Sequence, residues 1–262
     1  MNTTHFHWPK ATRCAVSLTY DDGLPIHYEL VGPLLESEGL RGTFYVPGLS
    51  DVRHHPERWR ALAAAGHELG NHSLFHPCRR EPPEAYGWLA PHYDLCDYTP
   101  ERWAQELDVA NLILHLVDGK TERSYGNTCC QTTIGRGAAE TPMDDILRER
   151  FVAARGPGNS QTAIMQDNFN LMQVGHFGGD GQVFEDLREE IERARDIGGW
   201  IVWMIHGVGK GTHDLYLDTG EHEKLIRWLG ENQDTIWTAP FVDVAKYVKE
   251  NLFTEIELEK PL

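Results

Sequence analysis

Short runs of β-branched and aromatic residues alternate with longer amphipathic stretches along nearly all of this 262-residue chain. That rhythm constrains the fold more than any other property, because it fits strands joined by crossover helices and little else. Strands are expected at residues 15–19, 42–46, 67–71, 123–126, 163–166, 200–205 and 235–238. Helices are expected at residues 28–38, 56–65, 100–116, 142–154, 184–196, 221–232 and 240–252. Thr99 is placed to cap the third of these, with Pro100 at its first position. About seven strand–helix units predict a parallel sheet, either a (β/α) barrel or a doubly wound sheet. With no composition break, low-complexity tract or internal repeat, residues 1–262 read as one domain. In both architectures the chemistry gathers where strands end.

Three predicted strands end in residues that can do chemistry. The first runs into Thr19-Tyr20-Asp21-Asp22-Gly23, the third into His72-Ser73-Leu74-Phe75-His76, and the sixth into His206-Gly207. Each signal has an ordinary explanation. Asp-Asp-Gly is good turn chemistry, and His72 and His76 could share a helix surface at i and i+4. In a chain with 14 His, one at a barrel rim is unremarkable. Taken together they say more: one carboxylate and two imidazoles form a three-ligand metal set, with a second carboxylate beside it as base and a third imidazole as acid.

The formal charge of −16 argues against nucleic acid, whose phosphates need a basic face. No apolar run is long enough to cross a membrane, and the opening residues lack the pattern of a secretory signal, so the cytoplasm is the expected compartment. Five Cys with no regular spacing make a poor disulfide framework, and no Cys pair has zinc-site spacing. The eight Trp would permit a homo-oligomer without specifying one. Gly207-Val208-Gly209-Lys210-Gly211-Thr212 is not a phosphate loop, because Gly211 separates Lys210 from Thr212. No Gly-x-Ser-x-Gly elbow is present, and His213 and His222 read as surface residues. Residues 77–98, rich in Pro and aromatic side chains, could wall a cleft or pack on the surface as an insertion.

In order and spacing, Thr19-Tyr20-Asp21-Asp22-Gly23, His72-Ser73-Leu74-Phe75-His76 and Ile205-His206 resemble the polysaccharide deacetylases of carbohydrate esterase family 4, the NodB-homology group. The resemblance has its motif core at about residues 14–210. It implies a distorted (β/α) barrel of about seven parallel strands and a hydrolase that removes N- or O-linked acetyl groups from a carbohydrate. A divalent metal is implied as well, zinc first, with cobalt, nickel and manganese compatible. Carried over by position, Asp21 is the base, Asp22, His72 and His76 bind the metal, and His206 is the acid. Trp203 and Ile205 would shape the acetyl pocket.

The family's third motif, Arg-x-Pro-aromatic, is altered. Arg123 would take the role of holding the base, and Asn127, Thr128 and Cys129 would line the pocket. Cys129-Cys130-Gln131 followed by Gly135-Arg136-Gly137 resembles a variant subgroup. Asp167 and Asp180 are candidates for the carboxylate that tunes the acid. Two other readings of the same fold are an amidohydrolase for a small non-sugar amide and an inactive carbohydrate-binding homologue.

Overall fold

The computed structural model describes residues 6–158 and 169–258. Seven parallel strands form a closed ring: β1 (Cys14–Tyr20), β2 (Thr43–Val46), β3 (Glu68–Asn71), β4 (Tyr125–Gly126), β5 (Ala154–Gly158), β6 (Val174–Gly178) and β7 (Trp200–Ile205). Ring closure is by β7 on β1, in register from Ala15↔Trp200 to Tyr20↔Ile205. An eighth strand, β8 (Ile236–Thr238), pairs with β1 at Cys14 to Val16, and β2 takes over at Thr19 and Tyr20. The fold is therefore the barrel and not the open doubly wound sheet.

The α-helices are α1 (Gly32–Ser37), α2 (Pro56–Ala64), α3 (Pro100–Asp118), α4 (Asp144–Arg148), α5 (Phe184–Ile197), α6 (Thr219–Glu231) and α7 (Phe241–Leu258). A π-helical turn, His27–Val31, leads into α1. The Thr99 side chain accepts from the Arg102 amide, and Gly119 ends α3 in the left-handed conformation at φ 72°. Both ends of that helix are thus written in the sequence.

Along β7 the side chains alternate between two cores. Ile201, Trp203 and Ile205 pack outward, with Leu18 and Tyr20 of β1, against Leu187 of α5 and Leu225 of α6. Trp200 and Val202 face the other way and join Ala15, Tyr125 and the first turns of α7. The Phe241 ring lies 4.8 Å from that of Trp200. The Phe241 amide donates to Thr43 Oγ1, and the Val242 amide donates to Glu68 Oε2 at 3.0 Å. Thr43 and Glu68 begin β2 and β3, so the N-terminus of α7 stoppers the N-terminal mouth of the barrel. Glu68 also accepts from Thr43 Oγ1 and from the Ser124 amide and hydroxyl, four bonds for one buried carboxylate.

Above this stopper, the Tyr45 ring fills the interior. A Cβ on Gly70 or Gly126 would stand 2.5 and 2.7 Å from it, so both positions require glycine.

The strand expected at residues 163–166 lies outside the described residues, and two other expectations change. Strands β5 and β6 were not anticipated; Ala154-Arg155-Gly156-Pro157-Gly158 has almost no β-forming composition, and its pairing comes from ring closure. The helix expected at 142–154 shrinks to α4, because Thr141–Pro142 pairs antiparallel with Thr133–Ile134 and Ala154 starts β5.

Candidate active site

The register of β1 on β7 brings the first and last motifs together, and the Asp21 amide donates to Ile205 O at 2.9 Å. Asp22 and Gly23 then take positive φ, 76° and 60°, so the chain turns sharply and both carboxylates reach the rim. After β3, Asn71 Oδ1 accepts from the Ser73 amide, and Ser73 Oγ accepts from the His76 amide. These local bonds fold residues 72–76 into a loop, with the two imidazole centroids 4.8 Å apart. The pair is therefore not a helix-surface pair. Asp22, Ser73, His76, Cys129 and Cys130 all have positive φ. Such backbone costs free energy and tends to gather at functional sites.

The donor set fits a divalent cation. Asp22 Oδ1 lies 3.7 Å from His72 Nε2 and 3.3 Å from His76 Nε2, and the three ligand atoms fall within 4.8 Å of one another. His72 Nδ1 donates to Gly126 O at 2.7 Å, which leaves the Nε2 lone pair facing the set. Burial pushes the His72 imidazole down to about 4, so it is neutral at pH 7, as a ligand must be.

Asp21 is 2% exposed and sits against a buried arginine. Arg155 Nη1 donates to Asp21 Oδ1 at 2.7 Å, and Nη2 donates to Oδ2, a bidentate fork. Burial alone would raise the Asp21 carboxyl, but the Arg155 charge, with His72, outweighs it and holds the group far below the usual carboxylate range. Arg155 also donates to Thr19 Oγ1, and its guanidinium lies 4.8 Å from the Tyr45 ring centroid.

Asp180 fixes His206. Its Oδ2 accepts from Nδ1 at 2.6 Å, and its Oδ1 accepts from the His206 amide at 3.0 Å. Burial disfavours the imidazolium, yet the Asp180 hydrogen bond and the Asp21 charge together raise its pKa above the ordinary value. The second imidazole nitrogen is thereby turned toward the cavity.

Five predicted site residues, Asp21, Asp22, His72, His76 and His206, line one cavity of about 740 Å³, joined by Asn127 and Cys129. Four others are elsewhere. Arg123 makes a buried pair with Asp118 at 3.1 Å and donates to Leu69 O, so the arginine on Asp21 is Arg155. Trp203 and Ile205 point into the helix layer, and Met204 between them reaches the cavity. The error is one residue in register, which inverts the face of a strand. Thr128 lies behind the wall, where its hydroxyl donates to Pro77 O.

His213 and His222 are not the surface residues that the sequence suggests. His213 Nε2 lies 3.4 Å from Asp22 Oδ2, and its ring stacks on His206 at 5.1 Å with 7° between planes. His222 is buried, with Nε2 2.8 Å from Tyr20 Oη. Tyr86 and Trp88 bring the aromatic insertion to the cavity, and Trp88 is 63% exposed at its lip. Of the two carboxylate candidates for the acid, Asp180 is in place and Asp167 lies outside the described residues. Cys78 and Cys129 form a disulfide with Cα atoms 5.8 Å apart, against the expectation from the cysteine count. Sequence separation hid a pairing that the fold creates.

The sequence model of the polysaccharide deacetylases matches residues 9–127, the segment that carries Asp21, Asp22, His72 and His76. Over those residues, a little under half of the chain, the sequence is similar to that family. A peptidoglycan-N-acetylmuramic acid deacetylase, PdaA of Bacillus subtilis, is 29% identical over 111 residues, 42% of this chain and 36% of that protein. A gellan lyase from a Bacillus species is 21% identical over 93% of this chain but only 10% of its own length. The chain thus spans about a third of the first of these curated relatives and about a tenth of the second. A crystal structure of a candidate polysaccharide deacetylase from Mycobacterium smegmatis superposes with TM-score 0.63 at 18% identity, covering 96% of both chains. At that identity the likeness speaks to the fold, and it is the seven-strand barrel.

Proposed function

We propose that this chain is a metal-dependent deacetylase that hydrolyses an acetyl group from a carbohydrate. The observation that carries the reading is a conjunction at one barrel rim. A carboxylate forked by Arg155, an Asp-His-His donor set and an imidazole held by Asp180 all face the same cavity. The exposed Trp88 at its lip offers an apolar face suited to a sugar ring, which favours a carbohydrate over a small amide.

Asp22, His72 and His76 would hold the cation, which supplies a polarised acyl oxygen and a water of lowered pKa. Asp21, ionised and aligned by Arg155, takes a proton from the attacking water. Its low proton affinity requires that transfer to accompany formation of the new carbon–oxygen bond. His206, charged and oriented by Asp180, gives its proton to the departing sugar atom as the acyl bond breaks. Acetate and the free amine or alcohol leave. The Cys78–Cys129 bridge favours an oxidising compartment over the cytoplasm.

Zinc-loaded protein is to be assayed for acetate release from acetylated xylo-oligosaccharides, chito-oligosaccharides and simple N-acyl amides. Asp21→Asn is expected to lower the rate on the sugar substrates by about a hundredfold or more. His72→Ala should lose bound zinc, and His206→Ala should keep it. Retained acetate release in Asp21→Asn sinks the base assignment, and the opposite zinc pattern sinks the ligand assignment.

A further inference from the structure

Asn127 is 2% exposed, lines the catalytic cavity, and has no protein hydrogen-bond partner for either its side-chain nitrogen or its side-chain oxygen. Among the described residues it is the one that combines these properties in that cavity. A buried carboxamide with neither half satisfied is rare, and each unmade bond is costly. The Asn127 amide donates to Arg155 O at 3.2 Å, and the carbonyl just before it, Gly126 O, accepts from the metal-set ligand His72. Asn127 therefore stands in the cavity wall between Arg155, which forks Asp21, and His72 of the donor set.

A group with an orphaned acceptor and an orphaned donor asks for a ligand carrying both. An acetamido group presents an N–H and a C=O; an acetate ester presents acceptors alone and leaves Asn127 Oδ1 facing lone pairs. Sites built to bond a substrate N–H reject analogues that lack it, because the buried acceptor then stays unpaired. We propose that Asn127 reads the atom linking acyl group to sugar, accepts a hydrogen bond from its N–H, and makes this chain an amide-cleaving rather than an ester-cleaving deacetylase. The inference rests on the deacetylase reading above. In the reaction the water oxygen bonds to the acyl carbon, the C–N bond breaks, and the proton from His206 goes to the nitrogen, giving acetate and an amine.

The test is a matched pair of substrates, a chito-oligosaccharide and its counterpart with O-acetyl in place of N-acetyl, assayed with zinc-loaded protein. Wild type is expected to favour the amide in kcat/KM. Asn127→Leu, which keeps the shape and removes both polar atoms, should lower kcat/KM on the amide by about 10- to 100-fold and collapse the amide-to-ester ratio by about the same factor. Asn127→Asp retains the acceptor and should keep more of the preference than Asn127→Leu. Equal losses on both substrates, or an ester preference in the wild type, overturn this inference while leaving deacetylation standing. Silence on both substrates at full zinc occupancy overturns the deacetylase reading and this inference together.

Discussion

Asp21 and Asp22 are neighbours in the chain, and their surroundings assign them different work. Asp21 has a guanidinium on both oxygens, whereas Asp22 has imidazoles on both, His72 and His76 on one side and His213 on the other. Two buried arginines make the contrast testable. Arg155→Met leaves a buried carboxylate without its charge partner and should cost about 3–5 kcal/mol of stability, together with nearly all acetate release. Arg123→Met breaks the pair with Asp118 and should also lower the melting temperature, but below that temperature it should hold kcat/KM within about a factor of three. Comparable losses of activity in the two variants would mean that the base is not held by Arg155. At His206, the Asp180 carboxylate raises the pKa, so Asp180→Asn lowers it. The acid must be protonated to work, and the alkaline fall in the rate should therefore begin at lower pH in the variant. An unmoved alkaline limb would remove Asp180 from that role.

At the scale of elements, the stopper formed by α7 depends on one side chain. Glu68→Leu strands four donors, namely the Ser124 and Val242 amides and the Ser124 and Thr43 hydroxyls. It should cost about 3–5 kcal/mol, and Glu68→Gln should cost less. A Glu68→Leu protein with the wild-type melting temperature would show that the helix docks without this anchor. The same scale explains what could be read in advance. Strands β1 and β7 were legible because apolar runs end abruptly in Asp or His, and α3 because Thr99 and Pro100 announce it. Strand β5 was not, since its sequence carries Gly, Pro and a buried charge, and only its neighbours make it a strand. Arg155 went unseen with it, and Arg123, two residues before β4, took its place. Trp203 and Ile205 were placed correctly in sequence and wrongly in space, because a run apolar at every position does not say which face is inward.

Across the whole molecule, buried histidines set the response to acid. Burial pushes His27, His67 and His176 down to about 4, and His222 to about 3. In the unfolded chain they titrate near 6.5. Between these values the unfolded state binds more protons, so this stability is fully present above about pH 6.5 and is lost as pH falls toward 4. Each group contributes on the order of 1–2 kcal/mol of that loss by pH 5. Thermal melts should show a decrease on the order of 10 °C between pH 7 and pH 5, and a flat profile would contradict the neutral burial of these rings. The cross-link between Cys78 and Cys129 acts on the molecule in another way. It spans 51 positions and encloses the exposed aromatic insertion together with α3. A protease that nicks the insertion near Trp88 would therefore produce two polypeptides that migrate as one on a non-reducing gel and part only when a thiol is added.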